Sequence, residues 1–477
     1  MDIPREQPNI LFIMPDQMRG DCMSLAGHPA LITPNIDNIG HSGTHFTSCY
    51  STCTSCIAAR RSLLTGQHPA THGVVGYREG IRITGPTLPQ QLTQAGYHTA
   101  VVGRYMHQSP YEESYGFKTR ILGSIHKDGD DYARFLERHK PESGGLRSAG
   151  LSWNGCDANP WPFEEWLHPT NWTVRESREL IGQQDADQPL FLMTSFYNPH
   201  PPLFPPAFFM ERYLRMDLPD PAIGDWAVPR PNNGIGLPVH SPKVNLTGER
   251  LRSAQAGYFG LIDHIGTQLY WLISDFTRKS QADRRPWMIV FTSDHGEMLG
   301  DHYYFRKTLP YEGSARIPLL IQGSSQLGFR SGQSCERPVC LEDLNPTLLE
   351  VAGAEIPAGV EGVSLLPTLR GDQQVVREWV HSEHGGAPRS DSFHMLTDGK
   401  MKYVWNRLTG AEQLFDLCAD RKECSNLASD PERQEELLTW RSRMVEHLKG
   451  RPEGFSDGER LIPGCPHPAA LPFVVMV

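Results

Sequence analysis

Two short apolar runs, each followed closely by an aspartate, constrain the fold of this chain more than any other feature. Residues 9–14 (NILFIM) and residues 287–291 (WMIVF) are almost continuously apolar, which is typical of central strands in a sheet covered on both faces. Asp16 follows the first run and Asp294 follows the second. Because ligands of open α/β sheets collect at the carboxyl edge of the strands, we expect both aspartates at such an edge.

The residues at these two turns are donors suited to a divalent cation. Asp16-Gln17 offers a carboxylate and an amide, and Asp294-His295 offers a carboxylate and an imidazole. Each turn also has an ordinary structural interpretation, because an Asx turn can end a strand and hydrogen-bonded Asp-His pairs are frequent in protein cores. The repetition of the pattern after two separate strands favours one metal site built from both turns.

The rest of the chain alternates between helix and strand patterns. Four segments carry such a pattern, residues 88–95 and 251–276 as helices and residues 98–103 and 189–195 as strands. This βαβ rhythm predicts an α/β fold. Residues 108–186 show little periodicity and predict a loop-rich insertion with aromatic faces.

The composition is that of an ordinary globular protein. The 477 residues carry a formal net charge of -10, with 39% hydrophobic and 21% charged residues, so one large domain and a smaller one are expected. The acidic balance argues against nucleic-acid and membrane partners. The ten cysteines fit reduced thiols, and with no membrane-spanning run or signal peptide in view the expected location is the cytoplasm.

Residues 53–66 (CTSCIAARRSLLTG) place a cysteine just ahead of a helix-like segment. Ala58 and Ala59 favour entry into a helix, whose free N–H groups and positive dipole end would stabilise an anion beside Cys56. Arg60 lies one turn further on and would face the same point. This is a suitable setting for a nucleophile.

Three less specific interpretations of this stretch stay open on the residues alone. Cys56 can be a small buried hydrophobe, which is the commonest fate of a free cysteine. Cys53 and Cys56 have the C-x-x-C spacing of redox pairs and zinc sites, but the best second pair for zinc, Cys335 with Cys340, is more loosely spaced, and a thioredoxin-like context is lacking. The arginines that follow can form a solvated charged face, which suits Arg61 best.

The stretch resembles the signature of the type I sulfatases, in which C-x-P-x-R or C-x-A-x-R is followed shortly by two apolar residues and Thr-Gly, here residues 63–66. The resemblance implies that a maturation enzyme oxidises Cys56 to formylglycine, that the hydrate of this residue is the nucleophile, and that Arg60 holds it. Ala58 stands where the family usually has proline. The aerobic maturation enzyme generally prefers proline, whereas the bacterial radical enzyme tolerates alanine.

Further segments that resemble this family imply the remaining site residues. Arg104 replaces the usual lysine, and His107 keeps the spacing of a histidine that would accept a proton from the hydrate. His200 lies in a Pro-His-x-Pro segment and would protonate the leaving oxygen, while Lys307 matches a lysine that bridges sulfate oxygens. The implied cation is calcium, with magnesium or manganese as alternatives, and its ligands would be Asp16, Gln17, Asp294 and His295.

The resemblance covers most of the chain and implies its architecture and activity. It predicts an alkaline phosphatase-like fold, with a large mixed sheet flanked by helices in residues 1–375. A small α+β subdomain in residues 376–477 would consist of a short sheet and one packed helix, residues 434–448. The implied reaction is hydrolysis of a sulfate ester, either a sulfated carbohydrate or an aryl sulfate. The metal, Arg60, Arg104 and Lys307 would neutralise charge on the sulfate.

Other functions are compatible with the same residues. A phosphonate monoester or phosphodiester hydrolase of the same superfamily would share the nucleophile motif and the metal turns, and fold analogy does not separate it from a sulfatase. An unmodified pseudo-enzyme would only bind sulfated ligands through the cation cluster. A redox protein would depend on Cys53 as well as Cys56.

Overall fold

The computed structural model of the chain describes residues 6–105, 111, 113–124, 127–146, 150, 152–229, 244–372, 377–386 and 392–476. Within these residues the strands are β1 (Asn9–Asp16), β2 (Thr44–Phe46), β3 (Cys49–Tyr50), β4 (His98–Gly103), β5 (Thr119–Leu122), β6 (Leu190–Pro199), β7 (Trp287–Thr292), β8 (Arg316–Ile317), β9 (Leu319–Gly323), β10 (Gln333–Cys335), β11 (Val339–Cys340), β12 (Val380–His384), β13 (Phe393–Thr397), β14 (Met401–Asn406) and β15 (Glu412–Asp416).

The α-helices of the described residues lie between and after these strands. They are α1 (Pro34–His41), α2 (Cys56–Thr65), α3 (Pro69–His72), α4 (Leu88–Gln94), α5 (Asp131–His139), α6 (Pro169–Gln183), α7 (Ala207–Leu214), α8 (Gly248–Ala282), α9 (Glu312–Ala315), α10 (Leu344–Val351), α11 (Leu366–Leu369) and α12 (Gln434–Leu448).

Eight strands form one large sheet, in the order β10-β2-β9-β7-β1-β6-β4-β5. The central strand β1 is parallel to both of its neighbours, β6 and β7, and β4 is parallel to β6. Beyond β7 the direction reverses, because β9 is antiparallel to β7 and β2 is antiparallel to β9. The sheet is therefore mixed, as the sequence predicted.

Alternation along β1 explains how helices come to cover both faces of the sheet. Ile10 and Phe12 belong to the core cluster that contains residues of α2, α4 and α10, whereas Leu11 and Ile13 belong to the cluster that contains residues of α1, α6 and α8. Successive side chains of a strand point to opposite faces, so a run that is apolar at every position has to be buried on both. Because both faces of β1 are covered, the position of Asp16 at the carboxyl end of the strand is fixed.

The prediction that residues 108–186 form a loop-rich insertion is wrong where β5, α5 and α6 lie. Helix α6 begins at Pro169, and the His168 side chain caps it by accepting a hydrogen bond from the Thr170 N–H. Trp172 and Ile181 are among the side chains that this helix buries. Proline in the first turn and a polar cap are ordinary start signals, but the apolar positions of α6 are too irregularly spaced to give a clear helical period.

The C-terminal part forms a separate four-stranded antiparallel sheet, in the order β12-β13-β14-β15. Helix α12 has the predicted bounds and buries Trp440 and Met444 against Tyr403 and Trp405 of β14. The domain boundary after residue 375 stays a prediction, and residues 373–376 lie outside the described residues.

A helix that spans a membrane needs about 20 consecutive, mostly apolar residues. In the described part of the chain, no helix is both long enough and apolar enough to cross a bilayer.

Candidate active site

Four adjacent strands of the large sheet deliver the predicted polar residues to one edge. Strands β7, β1, β6 and β4 run parallel, so their carboxyl ends lie side by side. Asp294 follows β7, Asp16 ends β1, His200 follows β6 and Arg104 follows β4. Helix α2 adds Cys56 as its first residue. The sequence therefore places its candidate residues where an open α/β sheet binds ligands.

Asp16, Cys56, Asp294 and His295 form the centre of this site, called the site cluster below. One donor atom of each residue lies within 4.8 Å of the others, and all four residues are buried. The Cys56 Sγ lies 3.0 Å from His295 Nε2 and 3.8 Å from Asp16 Oδ1. His295 Nε2 in turn lies 3.8 Å from Asp294 Oδ1 and 4.0 Å from Asp16 Oδ1. Two buried carboxylate oxygens and an imidazole facing one point are a donor set that fits a divalent cation.

Arg60 joins the two aspartates of the site cluster from the opposite side. Its Nη2 lies 2.9 Å from Asp16 Oδ2, and its Nε lies 3.0 Å from Asp294 Oδ2. Its Nη1 donates to the Tyr105 carbonyl at 3.1 Å and to Ser195 Oγ at 3.0 Å. All three guanidinium nitrogens thus have protein acceptors, and each aspartate keeps its Oδ1 turned toward the centre. Arg60 holds the carboxylates in place.

Arg104 adds a second buried cation next to the nucleophile position. Its Nε lies 3.0 Å from Asp16 Oδ2, and its Nη2 lies 3.8 Å from the Cys56 Sγ. The guanidinium carbon stands 4.9 Å from the centre of the Tyr197 ring. Burial acts to lower the pKa of Arg104, but the charges of Asp16 and Cys56 raise it above its usual value. The planar fork reaches a carboxylate and the sulfur at once, which the single ammonium of a lysine does less readily.

Gln17 and Lys307 form the next wall of the site. The Gln17 Oε1 accepts a hydrogen bond from Lys307 Nζ at 2.6 Å, and its Nε2 donates to the buried carboxylate of Glu297. Gln17 has a φ of 69°, a left-handed conformation that costs a residue with a side chain free energy. Its N–H donates to Asp294 Oδ1 at 3.0 Å, and its carbonyl accepts from the Tyr258 hydroxyl at 2.7 Å, so contacts on both sides hold the strained backbone.

His200 is buried and reaches the site through Tyr197. Its Nδ1 lies 2.7 Å from the Pro201 carbonyl and 2.8 Å from the Tyr197 hydroxyl, and the ring of Tyr197 packs under Arg104. A nitrogen that donates to a carbonyl carries the proton, so exchange with a substrate would fall to Nε2. His107, the other predicted histidine, lies outside the described residues.

The start of α2 favours an anion at Cys56. Among the described residues no side chain caps this helix, and none bonds the buried Thr54 Oγ1 or Ser55 Oγ. Burial and Asp16 act to raise the pKa of the Cys56 thiol, but Lys307 and His295 outweigh them, so the pKa lies below its usual value. The free N–H groups and the positive end of the helix dipole act in the same direction.

The structure argues against two alternative interpretations of residues 53–66, a solvated face at Arg61 and a redox or zinc pair at Cys53 and Cys56. The prediction that Arg61 is solvated is wrong, because Arg61 is buried and donates to the carbonyls of Ile81 and Arg82 at 3.1 and 2.6 Å. Cys53 packs in an apolar cluster with Ile57 and Val74, and burial raises the pKa of its thiol well above the usual value. The hydrogen-bond acceptors of Arg61 lie about 20 residues further along the chain, so no local sequence pattern predicts its burial.

Several contact residues were not predicted from the sequence. Glu297 binds Gln17 and the backbone N–H of Leu299, Ser195 binds Arg60, and Tyr258 binds the Gln17 carbonyl. Glu297 and Ser195 do have a signal, since each stands at or near the carboxyl end of a predicted strand. Tyr258 lies within α8 and has none.

Comparison with known proteins decides the family. A protein-family model described as Sulfatase matches residues 8–354, and one described as N-sulphoglucosamine sulphohydrolase, C-terminal, matches residues 300–449. An arylsulfatase from Clostridium perfringens (strain 13 / Type A) is 37% identical over 96% of this chain and 98% of its own length. The chain belongs to the type I sulfatase family. This confirms the predicted family and makes the protein a sulfatase, a hydrolase of sulfuric esters.

Solved structures confirm the fold of this sulfatase. The phosphonate monoester hydrolase of Agrobacterium radiobacter aligns with a TM-score of 0.79 and 24% identity, covering 93% of this chain and 96% of that one. A structure in complex with its substrate D-glucosamine-2-N,6-O-disulfate aligns with a TM-score of 0.72 and 19% identity, covering 95% and 100%. At these identities the likeness shows the shared alkaline phosphatase-like fold alone.

Proposed function

We propose that this sulfatase hydrolyses sulfate esters of carbohydrates or aryl alcohols with a formylglycine made from Cys56 and a bound calcium ion. The observation that carries the proposal is the position of Cys56. It is the first residue of an uncapped helix and lies within 4.8 Å of two carboxylates and an imidazole. A nucleophile and a cation site thus share one buried point at the carboxyl edge of the sheet.

The cation would be held by Asp16, Gln17, Asp294 and His295. The oxygens that face the centre, Oδ1 of each aspartate, are those that Arg60 does not bind. Oxygen donors favour calcium over zinc, and magnesium or manganese would use the same ligands. When bound, the cation would neutralise charge on the sulfate oxygens.

Charge in the site is arranged for a sulfate. The carboxylates of Asp16 and Asp294 are opposed by three cationic side chains, those of Arg60, Arg104 and Lys307. Arg104 and Lys307 lie on either side of the centre, one toward Cys56 and the other toward Gln17. We assign charge stabilisation on the sulfate to these two and a positioning role to Arg60, whose nitrogens are used by the protein.

Two histidines would handle protons. His200 presents Nε2 because its Nδ1 faces the Pro201 carbonyl. In its doubly protonated form it would donate the Nε2 proton to the leaving alcohol and return to the neutral ring. His107 is the proposed base that acts on the modified Cys56, on the strength of the sequence alone.

The names of similar proteins support both substrate classes. The Clostridium perfringens relative is an arylsulfatase, and one structural neighbour was solved with D-glucosamine-2-N,6-O-disulfate. A phosphonate monoester is the necessary comparison substrate, because the neighbour with a TM-score of 0.79 hydrolyses that class by name. We expect sulfate esters to be turned over faster than phosphonate monoesters under matched conditions.

The proposal is tested on the peptide that contains Cys56, from protein made with a maturation system that accepts alanine after the cysteine. Its mass should show conversion of the thiol to an aldehyde, and the same sample should release 4-nitrophenol from 4-nitrophenyl sulfate in a calcium-dependent manner. Turnover by protein that carries only the thiol would overturn the proposal. So would an aldehyde-bearing sample that hydrolyses the phosphonate faster than the sulfate.

A further inference from the structure

A cavity of about 570 Å³ lies between the segment after α3 and residues 468–476. Tyr77, Arg78 and His384 line it, together with Gly385, Gly386 and apolar residues of segment 468–476. This size falls within the range of small-molecule sites, about 300–1,000 Å³. We call it the Arg78 cavity.

The walls of the Arg78 cavity are attached directly to the nucleophile segment. Val74 and Ile81, which flank the Tyr77-Arg78 turn, pack in one apolar cluster with Ile57 and Ala58, the two residues after Cys56. On the other wall, the Glu383 N–H donates to the Thr52 carbonyl at 2.9 Å. The cavity is therefore one layer of residues from the start of α2.

Tyr77 connects the cavity with the catalytic charges. Its hydroxyl donates to the Glu79 carboxylate at 2.7 Å, and its ring is half exposed. Partial burial and the Glu79 hydrogen bond raise the pKa of Tyr77, and the charges of Cys56 and Arg104 also act on it. Tyr77 therefore lies close enough to Cys56 and Arg104 for their charges to act on its hydroxyl.

Segment 467–476 closes the cavity from the outside. Val74 pairs with Ala470, and Ile81 pairs with Met476, as isolated antiparallel bridges. The segment is anchored by His467, whose Nε2 lies 3.1 Å from the Glu383 carboxylate. The wall is thus part of the fold and does not depend on a second chain.

Arg78 lies on a wall whose other residues are mostly apolar, apart from Tyr77 and His384. Its side chain is exposed, and no described residue forms an ion pair with it. Proline, alanine, Val474 and Met476 make up much of the remaining lining. An apolar surface with one unmatched guanidinium suits a ligand that has a ring or carbon skeleton and one anionic group.

We propose that the Arg78 cavity binds the alcohol half of the substrate, and that the preferred alcohol carries a second anionic group, a carboxylate or a further sulfate, which Arg78 contacts. This inference rests on the proposed function, because it names the part of the sulfate ester that remains after hydrolysis.

The test uses three aryl sulfates that differ in the para substituent: 4-carboxyphenyl sulfate, 4-nitrophenyl sulfate and 4-(trimethylammonio)phenyl sulfate. A fourth probe, 1,4-phenylene disulfate, replaces the carboxylate by a second sulfate. For each probe, kcat/KM of R78A and R78E is divided by that of the full-length wild-type enzyme, so that differences in leaving group cancel. R215A is the matched control, since Arg215, directly after α7, is an exposed arginine whose side chain is 79% accessible.

In R78A we expect the carboxylate probe to lose about tenfold more kcat/KM than the nitro probe, mainly through KM, since one charged hydrogen bond is lost. R78E should enlarge this gap and favour the trimethylammonium probe, while R215A should leave all ratios near one. Equal losses on all probes would overturn the inference. Comparing the carboxylate and disulfate probes shows which anion is preferred. A wild-type enzyme that bears the aldehyde yet hydrolyses no sulfate ester would contradict the proposed function itself.

Discussion

Two buried groups of metal-ligand residues occur among the described residues, and they differ in how their charge is satisfied. The first is the site cluster at the edge of the large sheet. The second, called the Glu383 cluster here, consists of Glu383, His394 and His467. Both are buried and both bring a carboxylate close to imidazole rings.

The Glu383 cluster is complete within the protein. Arg451 donates to both oxygens of Glu383, at 3.0 and 2.9 Å, and His467 lies 3.1 Å away. Burial would raise the pKa of Glu383, but Arg451 and His467 lower it well below the usual value. The carboxylate therefore has its counter-charge, and a metal ion would have to displace an arginine.

The site cluster is balanced differently, because Arg60 binds only the outer oxygens of its two aspartates. The inner oxygens face His295 and Cys56. Ligand-type residues within reach of one another are thus not sufficient for a metal site. The orientation of the remaining lone pairs decides whether a cation has a place to bind.

The largest expected effect concerns the nucleophile, which the Glu383 cluster lacks. C56A should lower kcat on 4-nitrophenyl sulfate by at least about a thousandfold, because it removes the proposed nucleophile. C53S is the matched control and should keep most of the activity, since Cys53 only packs in an apolar cluster. Loss of activity in C53S alone would favour a redox pair.

The next effect concerns the internal charge balance of the Glu383 cluster. E383Q should lower the free energy of unfolding by about 1.5–3 kcal/mol, because it removes one of the two carboxylates that pair with the buried Arg451 and leaves Glu453 as the other. Urea unfolding followed by fluorescence measures this change. A loss below about 1 kcal/mol would mean that Glu453 alone satisfies the charge of Arg451.

The same unfolding experiment with calcium separates the two clusters. Calcium at a hundred times its Kd should stabilise the wild type by about 2.7 kcal/mol, and D294N should lose this gain because it removes a proposed ligand. E383Q should keep the gain in full. If D294N and E383Q lose it equally, the assignment of the metal to the site cluster is wrong.

The smallest expected effect is a pH dependence of stability in the Glu383 cluster. Burial and the neighbouring His467 hold the pKa of His394 well below its usual value near 6.5. Below about pH 6.5 the folded state therefore binds fewer protons than the unfolded state, and stability falls as the pH drops, by up to about 1.4 kcal/mol per pH unit.

H394F keeps an aromatic ring between Trp405 and Phe455 and removes this titration, so its stability should fall less steeply with acid. Urea midpoints measured between pH 7 and pH 5 give the two slopes. H41Q, at an exposed histidine that ends α1, is the control and should match the wild type. Equal slopes for H394F and the wild type would show that His394 is protonated in the folded state.

The sequence predicted the site cluster but not the Glu383 cluster, and the reason is physical. Asp16 and Asp294 follow strands whose apolar pattern predicts burial on both faces. Parallel strands place their carboxyl ends side by side, so the two aspartates are expected to lie close together. Glu383 and His394 lie on strands of a second sheet, and His467 belongs to a segment without regular structure. No period or spacing connects these three residues, so only the folded chain reveals them.

The difference between local sequence signals and contacts distant in sequence also explains which other predictions agree with the structure. Strand β4 and helix α12 have the predicted bounds, because their periodicity and end signals are local. Arg61 and the part of the insertion that contains α6 were predicted wrongly, since their environment comes from carbonyls and helices distant in sequence. The roles of all the site residues stay predictions, both metal ligation and catalysis, and His107 lies outside the described residues.

Segment 467–476 packs against α2, and it can do so only after most of the chain has been synthesised. This segment is synthesised about 410 residues after Cys56, which corresponds to roughly 20 to 80 s at about 5–20 residues per second. In the folded chain Cys56 is 1% exposed, so a second protein has no access to its thiol. The oxidation proposed for Cys56 therefore has to precede the folding of this region, and the time before segment 467–476 is synthesised is available to the maturation enzyme.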